Sequence, residues 1–217
     1  MYCIRRKKMK VILVNGSPNH YGCTYTALCE VEKTLNEGGV KTEHFWIGNK
    51  PLTGCIGCGF CGEHGKCQYD DTVNSFVEKA GEYDGFVFGA PVHFASAAAS
   101  MSGFMDRVFY SDSRAGRNSF YLKPAAVIVS ARRAGTTAAL DQLNKYLLYA
   151  EMPVVSSRYW NMVHGNTPDE VKKDLEGLQI MRVLGRNMAW LLRSIEAGRA
   201  ARVPAPEKEE RINTNFI

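Results

Sequence analysis

The chain has 217 residues, of which 45% are hydrophobic and 23% charged, proportions typical of one globular domain rather than a disordered protein. Five of its 27 basic residues lie in the first ten positions, and the other 22 balance the 22 acidic residues, so no nucleic-acid-binding face is expected. No apolar run is long enough to cross a membrane, and the cysteine spacing is not that of a small secreted scaffold. We therefore expect a cytoplasmic protein with reduced cysteines.

The first elements are predicted from short apolar runs that end at turn residues. Residues 10–14 (KVILV) end at Asn-Gly-Ser-Pro, which indicates a buried parallel strand. Residues 24–36 then predict a helix that stops at two glycines, and residues 40–47 predict the second strand. Residues 49–69, rich in glycine and cysteine, predict a loop inserted after that strand.

The rest of the chain continues the alternation of helices and strands. The predicted elements are helices at 71–81, 100–110, 136–150 and 168–195 and strands at 85–92, 124–130 and 153–160, with Leu140, Leu143, Leu147 and Leu148 as the apolar stripe of the third of these helices. Five strands alternating with helices predict an α/β fold with a doubly wound parallel sheet. Residues 1–9 are expected to be a basic leader, residues 10–202 the domain and residues 203–217 an extended C-terminal arm.

The loop after the first strand is a candidate phosphate site, because ligands of such sheets bind at the carboxyl ends of strands. It presents hydroxyls, an amide and backbone N–H groups at a helix start, which suits a phosphate monoester; a helix start without a ligand is the alternative. The loop matches neither the dinucleotide fingerprint nor the Walker sequence. The candidate residues are Ser17, Asn19, Gly22, Cys23, Thr24 and Tyr25.

Two further loops follow the third and fourth strands at the same edge. A corner of proline, aromatic and small residues allows backbone to lie against a flat ring, and two arginines supply positive charge. The candidates are Pro91, Val92, His93, Phe94, Ala95, Ser130, Arg132, Arg133 and Gly135. His93 is either a proton donor or a hydrogen-bonded wall residue, and each arginine is either a ligand for an anion or solvated. Asp106 and Arg107 are expected to form a structural ion pair or cap, and no side chain is assigned as a catalytic acid or base.

Four of the seven cysteines, Cys55, Cys58, Cys61 and Cys67, lie in the spacing C-x2-C-x2-C-x5-C. Thiolates at this density on a glycine-rich loop are typical of an iron–sulfur site. Zinc and plain unligated thiols remain alternatives. The other cysteines, Cys3, Cys23 and Cys29, are expected to be unligated, with Cys29 in the core.

The three loops in this order resemble the flavodoxin-like NADPH-dependent FMN reductase family, and the cysteine segment is most similar to that of the iron–sulfur flavoproteins. The resemblance implies the strand order 2-1-3-4-5, with FMN phosphate on residues 17–24 and the flavin ring against residues 91–96 and 130–136. It also implies a 4Fe-4S cluster on the four cysteines and a homo-oligomer, dimer or tetramer. The sequence departs from the family pattern at Asn19 (usually Arg), Cys23 (usually Asn), His93 (usually Tyr) and near Gly103, where Lys is usual.

The function that this resemblance implies is that of an FMN-dependent oxidoreductase. It would pass electrons from NAD(P)H as co-substrate, or from a ferredoxin-like partner, to an acceptor. The alternatives are a non-enzymatic FMN and iron–sulfur electron carrier, a flavin reductase that lacks a cluster, and a cysteine-based sensor without flavin.

Overall fold

The computed structural model describes residues 9–210 and 212–214, so the basic leader, except for its last residue, lies outside the described residues. The strands are β1 (Lys10–Asn15), β2 (Lys41–Trp46), β3 (Gly85–His93), β4 (Ser96–Ala97), β5 (Ala125–Ala131) and β6 (Met162–His164). The helices are α1 (Cys23–Glu37), α2 (Phe60–His64), α3 (Thr72–Ala80), α4 (Ala99–Arg114), α5 (Thr136–Tyr149), α6 (Pro168–Val171) and α7 (Leu175–Ala200).

The sheet confirms the predicted fold class. Its parallel strands follow the order β2-β1-β3-β5-β6, which is the predicted 2-1-3-4-5 once β4 is set aside. The two-residue β4, which the sequence did not predict, pairs antiparallel with the end of β3. The sheet separates two apolar clusters, one beneath α3, α4 and α5 and the other beneath α1 and α7. Strands β1, β3 and β5 are buried along most of their length because helices cover both of their faces.

The fifth parallel strand lies later in the chain than the predicted 153–160. Only Val154 forms a bridge there, to Ala125, while the ladder itself joins β5 to β6. Between these points the side chain of Asn161 donates to the Val127 carbonyl at 3.0 Å and takes the place of a backbone ladder bond. The prediction was wrong because a side-chain amide completes the sheet where a regular strand was expected.

Two helix predictions also need correction. The region 168–195 is divided into α6 and α7, because the Asp174 carboxylate accepts the Gly177 N–H at 2.9 Å and begins a new helix. In α5, Leu140, Leu143 and Leu147 are buried as predicted, whereas Leu148 is 63% exposed. Among the described residues no helix has the length and apolarity that a membrane crossing requires. The described residues from 203 onward are exposed and form neither helix nor strand.

Candidate functional site at the carboxyl edge of the sheet

The loop between β1 and α1 is held in shape by its own polar groups. The Ser17 N–H donates to Asn15 Oδ1 at 3.0 Å, and the Asn19 N–H donates to Ser17 Oγ at 3.2 Å. The Asn15 amide in turn donates to the His20 carbonyl at 2.8 Å. Since Asn15 and Ser17 are buried, the loop has a fixed shape beneath an open surface.

Gly22 is the N-cap residue of helix α1, and among the described residues no side chain caps the helix. A Cβ at Gly22 would lie 3.0 Å from the Asn19 Cβ, so the backbone here approaches the preceding turn closely. The first-turn N–H groups of a helix lack partners within the helix and attract anions. The start of α1 therefore has first-turn N–H groups of the kind that the predicted anion cradle would use, and the cradle stays a prediction.

Two predicted residues from different loops meet directly. The hydroxyls of Thr24 and Ser130 are buried and lie 2.8 Å apart, which joins the start of α1 to the end of β5. Close packing at this edge also fixes Gly16, whose N–H donates to the Gly89 carbonyl at 2.8 Å. A Cβ at Gly16 would lie 2.5 Å from the Met101 sulfur, so the ends of β1 and β3 contact α4 without space for a side chain.

Two other predicted residues use their side chains elsewhere. The Cys23 thiol lies 3.6 Å from the Gly165 carbonyl, and burial raises its pKa. The Tyr25 hydroxyl forms a hydrogen bond with Cys29, which is the main cause that raises the pKa of Tyr25 to about 12. Neither side chain is directed by these contacts toward the loop of Ser17.

The hairpin between β3 and β4 presents an aromatic side chain to solvent. Its two turn residues, Phe94 and Ala95, have φ values of 49° and 57°, a left-handed conformation that glycine or asparagine usually adopts in such turns. Phe94 is fully exposed and His93 is exposed beside it. Backbone strain of this kind is typical of ligand-binding loops.

The hairpin packs against Gly135 of the third loop and forms a hydrogen bond with Gln142 of α5. Gly135 has φ of 98°, and a Cβ there would lie 2.5 Å from the Cα of Ala95. Gln142 accepts from the Ser96 hydroxyl at 2.7 Å and donates to the Ser102 hydroxyl at 3.2 Å. Gln142 was not predicted, since its partners lie more than 35 positions away in the sequence.

Two exposed arginines and the starts of three helices lie at this edge. Arg132 and Arg133 are exposed, and within the described part of the chain neither forms an ion pair. Helices α4 and α5 begin at Ala98 and Gly135, again without a cap from any described side chain. All three helices that follow β1, β3 and β5 in the chain therefore begin uncapped.

An aromatic stack borders the first loop and was not predicted. The His20 ring lies between Tyr21, at 4.2 Å, and Trp46, at 4.3 Å and nearly parallel. The Trp46 indole N–H donates to the Ser17 carbonyl at 2.8 Å. A tryptophan at the end of the second strand was the available signal, because such positions lie at the ligand edge.

Cys55, Cys58, Cys61 and Cys67 line one pocket, here called the cysteine pocket. Cys55 and Cys58 are exposed, Cys61 is buried and Cys67 is half-buried. Burial raises the pKa of the Cys61 thiol; a backbone hydrogen bond partly offsets this, and the other three cysteines raise the pKa further. The structure thus brings the four predicted metal ligands together around one space.

The spacing of the sulfurs separates the two metal hypotheses. Among the described residues, the only group of three ligand atoms within 4.8 Å of one another is Cys29, Glu32 and His44, so no three sulfurs of the cysteine pocket lie that close. Tetrahedral zinc holds sulfurs about 3.8 Å apart, given Zn–S bonds of about 2.3 Å. The four sulfurs therefore do not have the spacing of a tetrahedral zinc site. The segment that carries the four cysteines includes the short helix α2, whereas the sequence predicted only loop there.

A buried arginine contacts the cysteine pocket. The Nε and Nη2 atoms of Arg107 each donate to Cys67 Sγ at 3.3 Å, and the guanidinium also pairs with Asp71 at 2.6 and 3.0 Å. Its side chain is 1% exposed. Burial acts to lower the pKa of Arg107, but Asp71 and Cys67 outweigh it, so the pKa is raised. The expected pairing with Asp106 was wrong, because Asp106 accepts from the Tyr146 hydroxyl instead.

The backbone of Cys67 is fixed by a second buried side chain. Asn74 accepts the Cys67 N–H at 2.9 Å and donates to the Cys67 carbonyl at 3.0 Å and to the Tyr69 carbonyl at 3.1 Å. These three bonds hold the end of the cysteine loop on α3. Such support around a ligand is typical of metal sites, where the surrounding hydrogen bonds orient the ligand.

Residues 9–167 match the family model of NADPH-dependent FMN reductases. The chain belongs to this family. Over 197 residues it is 32% identical to an iron-sulfur flavoprotein of Methanocaldococcus jannaschii, a match that covers 87% of this chain and 100% of the relative. The resemblance to this family that the loops and cysteines predicted is therefore confirmed.

Solved structures show the same fold at low sequence identity. RosB, solved with bound 8-demethyl-8-formylriboflavin-5'-phosphate, is similar with a TM-score of 0.69 and 15% identity, over 96% of this chain and 92% of RosB. A flavodoxin, WrbA-like protein of Agrobacterium tumefaciens is similar with a TM-score of 0.59 and 13% identity, over 87% of this chain and 99% of that chain. These similarities confirm the flavodoxin-like fold.

Proposed function

We propose that this protein is an FMN-dependent oxidoreductase that transfers electrons from NAD(P)H, or from a ferredoxin-like donor, to an acceptor. In the same proposal the cysteine pocket holds a 4Fe-4S cluster. One observation carries this proposal. In this member of the FMN reductase family the helices after the three central strands start uncapped, and four cysteines line one pocket.

The start of α1 fits a flavin phosphate. The uncapped N–H groups, the Ser17 loop and the buried Thr24 and Ser130 hydroxyls supply neutral donors, and the helix dipole adds partial positive charge. The loop itself contains no lysine or arginine, which suits a monophosphate ester held by backbone groups. Asn19, in place of the arginine usual in the family, is consistent with this neutral mode of binding.

The hairpin and the third loop fit the flavin ring. The strained turn at Phe94 and Ala95 is fixed against Gly135, which provides a flat backbone surface, while Arg132 and Arg133 bring positive charge to the same edge. FMN supplies hydride and single-electron chemistry when bound. The contribution of the chain is to orient the ring, exclude water from one side of it and stabilise negative charge on it.

The cysteine pocket fits an iron–sulfur cluster because four thiols line one space and the Arg107 guanidinium already donates to one sulfur. Cys67 lies against α4 at Arg107, eight residues from the start of that helix, which corresponds to about 12 Å along its axis. The exposure of Cys55 and Cys58 supports a homodimer or tetramer in which another subunit covers this side. The cysteine spacing, which is not that of a small secreted scaffold, supports a reducing, cytoplasmic setting.

The test is anaerobic purification followed by measurement of iron, sulfide, zinc and FMN per chain. We expect about four irons, four sulfides and one FMN per chain. Cys58→Ser should lose iron and keep FMN, whereas Thr24→Val should weaken FMN binding about tenfold, by loss of the buried hydroxyl pair, and keep iron. A colourless protein, or zinc in place of iron, would contradict the corresponding half of the proposal.

The direction of electron flow needs a separate assay. NADH and NADPH oxidation by the loaded protein, with a generic electron acceptor, should show turnover with at least one nucleotide. Absence of turnover with both, together with reduction by a low-potential ferredoxin, would indicate an electron carrier instead of an NAD(P)H-dependent enzyme.

A further inference from the structure

A second group of metal-binding side chains lies between α1 and the edge strand β2, outside the cysteine pocket. Cys29 and Glu32 are three residues apart on α1 and therefore on one helix face, and His44 extends from β2. One ligand atom from each lies within 4.8 Å of the others, and all three side chains are partly buried. Cys29 is thus not the core residue that the sequence predicted.

The three groups are already oriented by hydrogen bonds. His44 Nε2 lies 3.0 Å from Glu32 Oε2, and the Thr42 hydroxyl donates to Glu32 Oε1 at 2.9 Å. Such an additional donor commonly orients a carboxylate ligand at metal sites. His44 Nδ1 is buried and has no hydrogen-bond partner among the described residues, so the polar capacity of the imidazole is only partly used.

The local charge is negative and incompletely compensated. Glu32 lies beside Cys29, and Glu30, one position from Cys29, is paired with Arg182 at 2.6 Å. The one further polar contact of Cys29 among the described residues is with the Tyr25 hydroxyl. One thiol, one imidazole and one carboxylate form a ligand set that suits zinc-type divalent cations better than magnesium or calcium.

We propose that Cys29, Glu32 and His44 bind one zinc-type divalent cation, with the fourth position taken by water or by the Tyr25 hydroxyl. The ion connects the first helix to the edge strand. Tyr25 lies between this site and the aromatic stack of Tyr21, His20 and Trp46, because its ring contacts that of Tyr21 and lies 5.0 Å from that of His44. The site is independent of the flavin and cluster proposals.

The experiment uses the anaerobically purified protein with its own cofactors, exposed to zinc chloride and then passed through a desalting column. We expect about one zinc per chain in addition to iron. Extended X-ray absorption fine structure at the zinc edge should show one sulfur near 2.3 Å and nitrogen or oxygen ligands otherwise. Cys29→Ser and His44→Gln should each weaken zinc retention more than about tenfold. Glu37→Gln, an exposed acidic residue on the same helix, is the control and should not change retention.

The spectrum distinguishes this site from the cysteine pocket. Zinc with four sulfur ligands would place the ion in the cysteine pocket and overturn the present inference, and would also contradict the cluster. Zinc retention that is unchanged in Cys29→Ser and His44→Gln, or no retention by the wild type, would overturn it too. A melting temperature that rises with zinc in the wild type and in Glu37→Gln, but not in His44→Gln, would support it even if the loaded protein shows no catalytic activity.

Discussion

The helices of this protein begin in two different ways. Helices α3, α6 and α7 start at Asp71, Thr167 and Asp174, whose side chains each accept a backbone N–H of the first turn. Helices α1, α4 and α5 start at Gly22, Ala98 and Gly135 without a side-chain cap from any residue between 9 and 210. The second group contains the first helices after β1, β3 and β5 in the chain.

A side-chain cap stabilises a helix by about 1 kcal/mol, so three missing caps represent a real loss of stability. The short helix α2 of the cysteine segment also starts, at Gly59, without a cap from a described side chain, but the three longer uncapped helices all start at the edge where parallel sheets bind ligands. The capped helices, in contrast, follow none of β1, β3 and β5 directly in the chain. The comparison predicts that the first-turn N–H groups of α1, α4 and α5 are left for a ligand.

The largest effect is expected at the capped group, for Asp71→Ala. This change removes the cap of α3 and leaves the fully buried Arg107 without its carboxylate, at an expected loss of about 3 to 5 kcal/mol in the free energy of unfolding. Urea unfolding would measure it. Thr167→Ala removes a cap alone and should cost about 1 kcal/mol. Equal losses in the two variants would mean that the Arg107 pair contributes nothing.

Gly135→Ala tests the uncapped group and is expected to cost about 2 to 4 kcal/mol in the free energy of unfolding, measured by urea unfolding. The new Cβ requires a left-handed backbone and overlaps the backbone of Ala95, so both strain and overpacking contribute. Gly116 is the matched control, because it has φ of 67° and a Cβ added there would meet no described atom within 4 Å. Gly116→Ala should lose only about 1 to 2 kcal/mol and leave flavin affinity unchanged.

The sequence could reveal residues whose partners lie close in the chain, and residues that directly follow the carboxyl end of a strand. The pocket formed by the four cysteines was predictable because they occupy one short segment, and the loop before α1 because a helix start follows a buried strand. The strand order came from the resemblance, and the alternation of strands and helices agreed with it, since parallel strands require right-handed crossovers. These features depend on local chemistry that a single segment displays.

Contacts between distant segments were not predictable in this way. Arg107 reaches Cys67 across 40 positions, and Gln142 reaches Ser96 across 46. Nothing near Arg107 in the sequence distinguishes it from a surface arginine, and its neighbour Asp106 suggested the wrong partner. Similarly, the displaced β6 depends on the Asn161 side chain, whose bond to Val127 spans 34 positions.

Arg107→Gln tests whether the partner of Asp71, the cap of α3, also serves the cysteine pocket. A cation that donates to a cluster ligand stabilises the more reduced state, so its removal should lower the midpoint potential of the cluster by on the order of 60 mV, a tenfold change for one electron. A redox titration followed by electron paramagnetic resonance measures it. Arg117→Gln, which loses a contact with the Gly65 carbonyl but none with sulfur, is the control. Equal potentials in the two variants would make Arg107 a purely structural residue.

The smallest expected effect is also the most direct test of the comparison. Ala98→Ser gives α4 the hydroxyl that its start lacks, in an extended backbone conformation that suits a cap, and it should stabilise the flavin-free protein by about 0.5 to 1 kcal/mol. The same hydroxyl then occupies N–H groups that a ligand would use, so flavin affinity, measured by fluorescence titration, should fall. A variant that is more stable and binds flavin equally well would show that the start of α4 is uncapped for another reason, and would leave only α1 and α5 as ligand-directed helices.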